Sequence, residues 1–298
     1  MTDNKKPSIG FVGLGLMGSA IVGRMQDLDY PMTVMGRTNR TGIDAAVARG
    51  ATEAKNAKEL AAASDVVMLC VDTSESVESI MLGDEGVIAG VKPGAIVIDT
   101  GTSIPGSTQT LGEKVKAAGA SYMDAPLGRT PSHAKDGLLN IMAAGEKADF
   151  DKVEPVFKDI GENVFHVGPL GAGHTLKLIN NFYGMTVATA MSEAFAMSDL
   201  AGIERETTYN IMSAGPLHSA MMDFVKANAV DGDSKKLAFS IANARKDLGY
   251  YNDMAASLKA TSFIGSGTRD ALSEATSKGY GDKDVPCMVD FLAELYKG

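Results

Sequence analysis

The chain has 298 residues, 45% hydrophobic and 22% charged, which is the composition of a globular protein long enough for two domains. Its net charge of −9 and pI near 5.0 argue against a nucleic-acid-binding protein, although a few local cations would still bind a small anion. Cys70 and Cys287 form neither a zinc pattern nor a disulfide framework. This cysteine pattern leads us to expect a reducing cytoplasm, and neither a signal peptide nor a membrane span is expected.

The first part of the chain alternates between strand and helix patterns. Strands are predicted at 8–12, 31–35, 51–52, 65–71, 95–99, 121–125, 138–144 and 163–167, with helices at 19–28, 42–49, 57–63, 75–82, 104–118 and 148–160. This alternation predicts a parallel, doubly wound sheet whose ligand lies beyond the carboxyl ends of the strands. The later part predicts helices only, at 173–201, 204–213, 219–229, 239–260, 267–278 and 285–296.

A glycine motif stands between the first predicted strand and the first helix. In Gly13-Leu14-Gly15-Leu16-Met17-Gly18, the first glycine permits a tight turn and the second lets the backbone approach a pyrophosphate. The third lets the helix pack on the strand, and the helix N-terminus faces the phosphates. A plain tight turn is the alternative. We predict a Rossmann domain at 1–170, with cofactor contacts from Gly13, Gly15, Leu16, Met17 and Gly18.

The end of the second strand is where such a fold selects its cofactor. An acidic residue there would bind the ribose hydroxyls, but this chain has Arg37, Thr38 and Arg40. Two guanidinium groups and a hydroxyl suit a 2′-phosphate, which favours NADP while leaving NAD possible. A solvated arginine loop is the alternative. Because the ligand of such a sheet lies beyond the carboxyl ends of its strands, we also predict cofactor contacts from Val71, Asp72, Thr73 and Thr102. Each hydroxyl could instead simply cap a helix.

A proline-bracketed loop follows the sixth strand, in the order Pro126-Leu127-Gly128-Arg129-Thr130-Pro131. A stiff loop at a strand's carboxyl end could aim Arg129 at an anion. The spacing alone allows equally that Arg129 forms a surface or interdomain ion pair.

The long predicted helix carries a polar stripe near its start. Lys177, Asn180, Asn181 and Gly184 stand at i, i+3, i+4 and i+7 and therefore share one face. Asparagine is unusual inside an apolar helix, so the stripe suggests a proton donor beside hydrogen-bonding groups. A solvent-facing stripe is the alternative. The four histidines show no metal-ligand spacing, and no metal site is predicted.

Several of these segments together resemble the β-hydroxyacid dehydrogenase family, also called the 3-hydroxyisobutyrate dehydrogenase-related proteins. They are FVGLGLMG, DTGTS, DAP, GAGHTLKLINN and KDL, in the family's order. The resemblance implies a Rossmann domain joined by a long interdomain helix to an all-α domain at 171–298. It also implies metal-free hydride transfer between NAD(P) and a 3-hydroxy acid or semialdehyde. Lys177 would be the acid/base and Asn181 a substrate ligand, with Lys246 at the nicotinamide and Thr102 on cofactor or substrate.

The loop after DAP departs from the family's usual Val-Ser-Gly-Gly pattern, because Gly128 and Arg129 occupy those places. This variant resembles the 3-sulfolactaldehyde reductase branch, which implies that Arg129 and the segment 180–184 hold a sulfonate. That branch has an aspartate at the position of Arg37, so its NAD preference is not carried over. The substrate ligands implied are Gly128, Arg129, Thr130, Asn180, Asn181 and Gly184.

We therefore expect 3-sulfolactaldehyde to be reduced to 2,3-dihydroxypropane-1-sulfonate. One alternative keeps the fold and changes the substrate to succinic, methylmalonic or tartronic semialdehyde. A second is an imine reductase, which typically lacks the lysine at position 177, and a third is a non-catalytic NADP-binding sensor. The family resemblance also implies a homodimer or homotetramer.

Overall fold

The computed structural model describes residues 6–36 and 39–297, so Arg37 and Thr38 lie outside the described residues. The chain forms two compact units, one ending at Lys177 and the other beginning at Leu178. The first unit contains every described strand, and the second contains helices and short helical turns. An α/β part followed by a helical part is the order of elements that the sequence predicts.

The main sheet of the first unit has six strands in the order β3-β2-β1-β4-β5-β6, and all of the pairings are parallel. The strands are β1 (Ile9–Val12), β2 (Met32–Met35), β3 (Thr52–Glu53), β4 (Val66–Leu69), β5 (Ile96–Asp99) and β6 (Ser121–Asp124). The strand order reverses at β1, next to β4. In a doubly wound sheet this switch point is where a dinucleotide binds. The predicted doubly wound sheet is thereby confirmed.

Helices cover both faces of this sheet. They are α1 (Leu16–Asp27), α2 (Thr41–Ala48), α3 (Ala57–Ala63), α4 (Ser74–Met81), α5 (Val87–Gly90), α6 (Pro105–Ala117), α7 (Pro131–Lys135) and α8 (Lys147–Ile160). Alternate residues of β4 divide between two cores: Val66 and Met68 pack in one, and Val67 and Leu69 pack in the other. Burial on both faces explains why the central strands are continuous apolar runs.

The strands predicted at 138–144 and 163–167 form a separate small sheet. It consists of β7 (Leu127–Gly128), β8 (Leu139–Ala143) and β9 (Gly161–His166). β7 pairs antiparallel with β8, and β8 pairs parallel with β9. The prediction of a loop at 126–131 was therefore wrong in part, because this stretch contains β7 and the first residue of α7. Pro131 at the first helical position is a known start signal that the reading did not use.

The long helix α9 (Ala172–Leu200) has 29 residues and was predicted within one residue at each end. The elements after it are α10 (Arg205–Ser213), α11 (Ala220–Ala229), α12 (Ile241–Ser257), α13 (Phe263–Ala275) and α14 (Met288–Leu295). Their core includes Phe195, Leu248 and Leu272. No helix of residues 6–36 and 39–297 is long and apolar enough to cross a membrane.

Three helices of the second unit differ from their predicted bounds by more than one residue. α12 was predicted at 239–260 and ends three residues earlier, at Ser257. α13 begins four residues earlier than predicted, because the Ser262 side chain accepts a hydrogen bond from the Gly265 N–H and caps the helix there. The segment predicted as one helix from 285 begins with a 3₁₀ turn at Val285–Cys287, and α14 follows it.

Candidate active site

The glycine loop after β1 has the geometry that a bound dinucleotide requires. Gly13 has φ of +96°, and a Cβ there would lie 2.3 Å from the Cys70 carbonyl oxygen. A Cβ on Gly18 would lie 1.9 Å from the Gly13 carbonyl oxygen, which explains the close packing of α1. A Cβ on Gly15 would meet nothing within 4 Å, so the space beside its backbone is open. The three glycines therefore fit the separate functions predicted for them.

The start of α1 also suits an anion. Gly15 stands at its N-cap without a side-chain cap, and the first turn contains no acidic residue. The N–H groups at such a helix end attract phosphate. The side chain of Leu16 is 84% exposed at this position. Met17 is partly buried and packs against the core that contains Val66 and Met68. These observations fit the pyrophosphate of a dinucleotide.

The loops after β4 and β5 lie next to the glycine loop. A Cβ on Gly13 would approach Val71, and a Cβ on Gly101 would lie 2.8 Å from the Val71 carbonyl oxygen. Thr102 follows Gly101, so all three loops meet at the carboxyl edge of the sheet. Thr73 caps α4 by accepting a hydrogen bond from the Ser76 N–H. This capping was the alternative given for its hydroxyl, and its contact with a cofactor stays a prediction.

Arg40 is paired with two carboxylates. Its Nη2 atom lies 2.9 Å from Asp44 Oδ1 and 2.9 Å from Glu53 Oε2. The hydrogen bond from Arg40 lowers the pKa of Glu53, which keeps this carboxylate charged. A 2′-phosphate would share or replace these partners, so the role of Arg40 in binding NADP stays a prediction.

Lys177 is held by the backbone of the small sheet. It lies on the second turn of α9, and its Nζ atom donates a hydrogen bond of 2.8 Å to the carbonyl oxygen of Leu127 in β7. The side chain is partly buried. Lys177 is thereby fixed beside β7, which contains Gly128 and is followed directly by Arg129.

Arg129 adopts an unusual backbone conformation, with φ of +75°. A residue with a side chain rarely adopts this region, and such strain often occurs at functional sites. Its Nη1 atom donates to the Leu138 carbonyl oxygen at 2.7 Å and to Glu162 Oε2 at 2.5 Å. Both contacts use the same nitrogen. Within the described part of the chain, Nε and Nη2 have no hydrogen-bond partner, so the edge that binds oxyanions in a bidentate manner remains available.

The helical unit holds a second group of predicted residues. Asn181 is buried, and its Nδ2 atom donates to Asp247 Oδ2 at 2.6 Å. The other oxygen of Asp247 lies 3.1 Å from Lys246 Nζ. Asp247 thus links the two side chains predicted at the substrate and at the nicotinamide. Asn180 is exposed and donates weakly to Asn181 Oδ1 at 3.3 Å, and Gly184 lies three residues beyond on α9.

Three acidic residues with contacts in this region were not among the predicted site residues. Glu162 binds Arg129, and Asp247 binds Asn181 and Lys246. Asp124 accepts hydrogen bonds from two backbone N–H groups at the start of α9. Asp247 lies in the KDL segment and Asp124 in the DAP segment, but the family resemblance implies a role only for Lys246 among these residues. Within the described residues, no group of three or more His, Cys, Asp or Glu side chains could hold a metal ion.

Burial raises the pKa of the Cys70 thiol to about 11, which makes this thiol a poor nucleophile.

Comparisons with known proteins agree with this arrangement. Residues 8–168 match the family described as the NAD binding domain of 6-phosphogluconate dehydrogenase. Residues 171–292 match the family described as the NAD-binding domain of NADP-dependent 3-hydroxyisobutyrate dehydrogenase. The two matches cover both parts of the chain, and both families bind nicotinamide dinucleotides.

Individual relatives belong to the same group. The mitochondrial 3-hydroxyisobutyrate dehydrogenase-like protein 3 of Arabidopsis thaliana is 31% identical over 84% of this chain and 77% of its own. The 3-sulfolactaldehyde reductase of Escherichia coli is 28% identical over 95% of each chain. The crystal structure of a 3-hydroxyisobutyrate dehydrogenase from Salmonella typhimurium superposes with a TM-score of 0.83 at 26% identity, covering 95% of this chain and 99% of that one. The chain therefore belongs to the β-hydroxyacid dehydrogenase family and is an NAD(P)-dependent hydroxyacid dehydrogenase.

Proposed function

We propose that the protein reduces 3-sulfolactaldehyde to 2,3-dihydroxypropane-1-sulfonate with NADPH. The observation that carries the proposal is the available Nε–Nη2 edge of Arg129, two residues after the Leu127 carbonyl that anchors Lys177. A sulfonate offers three acceptor oxygens, and this edge offers two parallel donors. Gly128, Thr130, Asn180, Asn181 and Gly184 would complete the contacts to the substrate.

The role of Lys177 follows from its charge and its anchor. The dinucleotide, when bound at the glycine loop, supplies the hydride to the aldehyde carbon or accepts it in the reverse direction. Lys177 gives a proton to the substrate oxygen during reduction and, in its neutral form, removes that proton during oxidation. The hydrogen bond to Leu127 restricts the ammonium to one position. Asp247 holds Asn181 and Lys246 in fixed orientations for substrate and nicotinamide.

The substrate is tested with a panel of aldehydes compared by kcat/KM. We expect 3-sulfolactaldehyde to exceed succinic, methylmalonic and tartronic semialdehydes by at least about tenfold, the effect of about 1.4 kcal/mol in transition-state binding. A carboxylate semialdehyde would also bind Arg129 and is the second candidate, favoured by the same bidentate edge. A sulfonate aldehyde that reacts no better than its carboxylate analogue would refute the first assignment. Cofactor binding without turnover of any aldehyde would indicate a sensor.

The cofactor preference is tested at Arg37, with Thr38 and Arg40 as the other proposed ligands of the 2′-phosphate. Arg37→Asp is expected to lower the NADPH/NADH ratio of kcat/KM by about 10-fold to 100-fold, because it replaces a charge-assisted hydrogen bond by repulsion. Steady-state kinetics with both cofactors measure this ratio. Asp27→Asn, which alters an exposed ion pair with Arg49, is the control and should leave the ratio unchanged. If Arg37→Asp leaves the NADPH/NADH ratio of kcat/KM unchanged, the arginine at position 37 does not bind the 2′-phosphate.

We also propose a homodimer or homotetramer, from the family resemblance, and a cytoplasmic location, from the cysteine pattern. Light scattering of the purified protein distinguishes these states from a monomer.

A further inference from the structure

The N-terminus of α9 rests on a buried group of ionisable side chains that the proposed chemistry does not use. Asp99, Asp124 and His174 are each 0% exposed. Asp99 and Asp124 are the last residues of β5 and β6, and His174 lies in the first turn of α9. Burying two carboxylates is costly unless their oxygens are hydrogen-bonded or paired with a cation. Their contacts therefore show what this group stabilises.

Both oxygens of Asp124 bind the start of α9. Oδ1 accepts a hydrogen bond of 2.7 Å from the Gly171 N–H, and Oδ2 accepts one of 2.7 Å from the His174 N–H. These N–H groups belong to the end of the helix that has no acceptors of its own. A negative charge there also interacts favourably with the helix dipole. A side chain from β6, distant in the sequence, thus acts as the cap of α9.

Gly173 brings the first turn of α9 directly against this carboxylate. A Cβ at Gly173 would lie 2.3 Å from the Met142 carbonyl oxygen and 2.8 Å from Asp124 Oδ2. Any side chain there would have to displace the helix. The first turn of α9 can therefore lie this close to Asp124 only with a glycine at this position.

The imidazole of His174 lies between the two carboxylates. Its Nδ1 atom is 2.8 Å from Thr108 Oγ1 and 3.8 Å from Asp124 Oδ2, and its Nε2 atom is 3.6 Å from Asp99 Oδ2. Asp99 in turn accepts hydrogen bonds from the Gly101 N–H and the Ser103 hydroxyl. Burial raises the pKa of Asp124, while His174 and the backbone N–H groups oppose this rise. The imidazole therefore acts on the Asp124 carboxyl in the same direction as the two hydrogen bonds from the helix start.

We propose that Asp124 is a positioning residue for Lys177, an inference that rests on the proposed role of Lys177 as the proton donor. Lys177 lies three residues beyond His174 on α9. Asp124 fixes the helix start, and Leu127, three residues further along the same segment, binds the ammonium. The segment from Asp124 to Leu127 therefore positions both the backbone of Lys177, through the helix start, and its Nζ atom. A rotation of α9 by about 10° would move an atom about 6 Å from its axis by about 1 Å.

The test is Asp124→Asn in the wild-type background and in Lys177→Ala. An asparagine keeps the shape but has only one acceptor oxygen, and its NH₂ group would face a backbone N–H. In the wild-type background we expect kcat to fall by about 10-fold to 100-fold with KM nearly unchanged, since a displacement of about 1 Å can cost this much. In the Lys177→Ala background we expect no further loss, because residues that act through one group are not additive.

A loss of kcat that persists in Lys177→Ala would overturn the proposal, and so would an unchanged kcat in Asp124→Asn alone. Failure of the proposed function would be seen separately, as a wild-type kcat in the Lys177→Ala single variant. If Asp124→Asn does not fold, Gly173→Ala displaces the same turn without altering a charge, and the same pattern is expected. Asn56→Ala removes the side-chain cap of α3 and is the control for losing a cap elsewhere, with lowered stability and unchanged kcat.

Discussion

Replacing Lys177 by alanine is expected to lower kcat by at least about 100-fold, the contribution of a general acid placed at the reacting oxygen. The side chain is partly buried and is anchored on Leu127 by a hydrogen bond of 2.8 Å. A water molecule in place of the lysine would lack this fixed position and would be a poorer proton donor. The dissociation constants of cofactor and substrate should change little, because the proposed anion and phosphate contacts belong to other residues. Steady-state kinetics and fluorescence titration of the reduced cofactor measure these quantities.

Lys177→Arg separates proton transfer from charge. Arginine keeps the positive charge and the donors but does not lose its proton at accessible pH. If Lys177 is the acid and base, kcat should stay close to that of the alanine variant. Recovery of most of the wild-type rate by arginine would show that the charge alone is needed. A Lys177→Ala enzyme that binds both partners and keeps its kcat would remove the acid/base role altogether.

Features with local physical causes could be predicted from the sequence. The three glycines of the dinucleotide loop are required by the backbone over six residues, and the structure has the expected φ at Gly13 and open space at Gly15. The helix α9 was predicted almost to its ends, because a long apolar pattern with a polar stripe has only one regular interpretation.

The contacts that fix the candidate site could not be predicted in this way. Asp124 binds N–H groups 47 and 50 residues away, and Asn181 binds Asp247 66 residues away. Glu162 is 33 residues from Arg129. A single sequence contains no local signal for such pairs, since acidic residues in strands and helices are equally compatible with a solvated surface. Of the small sheet, β8 and β9 were predicted and β7 was not, because a strand of two residues has no measurable period.

Removing the guanidinium of Arg129 is expected to weaken binding of anionic aldehydes strongly. A hydrogen bond to a charged group contributes about 1.5–3 kcal/mol, so Arg129→Ala should raise KM by about 10-fold to 100-fold for a sulfonate or carboxylate aldehyde. A neutral aldehyde of similar size should show no such change. Arg129→Lys keeps the charge and loses the two parallel donors, and an intermediate KM is expected. An unchanged KM for the anionic aldehydes would assign Arg129 to its ion pair with Glu162 alone.

The backbone of Arg129 gives this experiment a second readout. At φ of +75° any residue with a Cβ is strained, and the left-handed conformation costs about 1–2 kcal/mol. Arg129→Gly removes the guanidinium and the strain, whereas Arg129→Ala removes the guanidinium only. Both variants should lose anion affinity equally, while the free energy of unfolding should be higher in Arg129→Gly by about 1 kcal/mol. Urea denaturation measures that difference. If replacing Arg129 by glycine raises stability and also lowers anion affinity, the arginine is retained for binding rather than for folding. Equal stability of the two variants would show that this turn stores no strain.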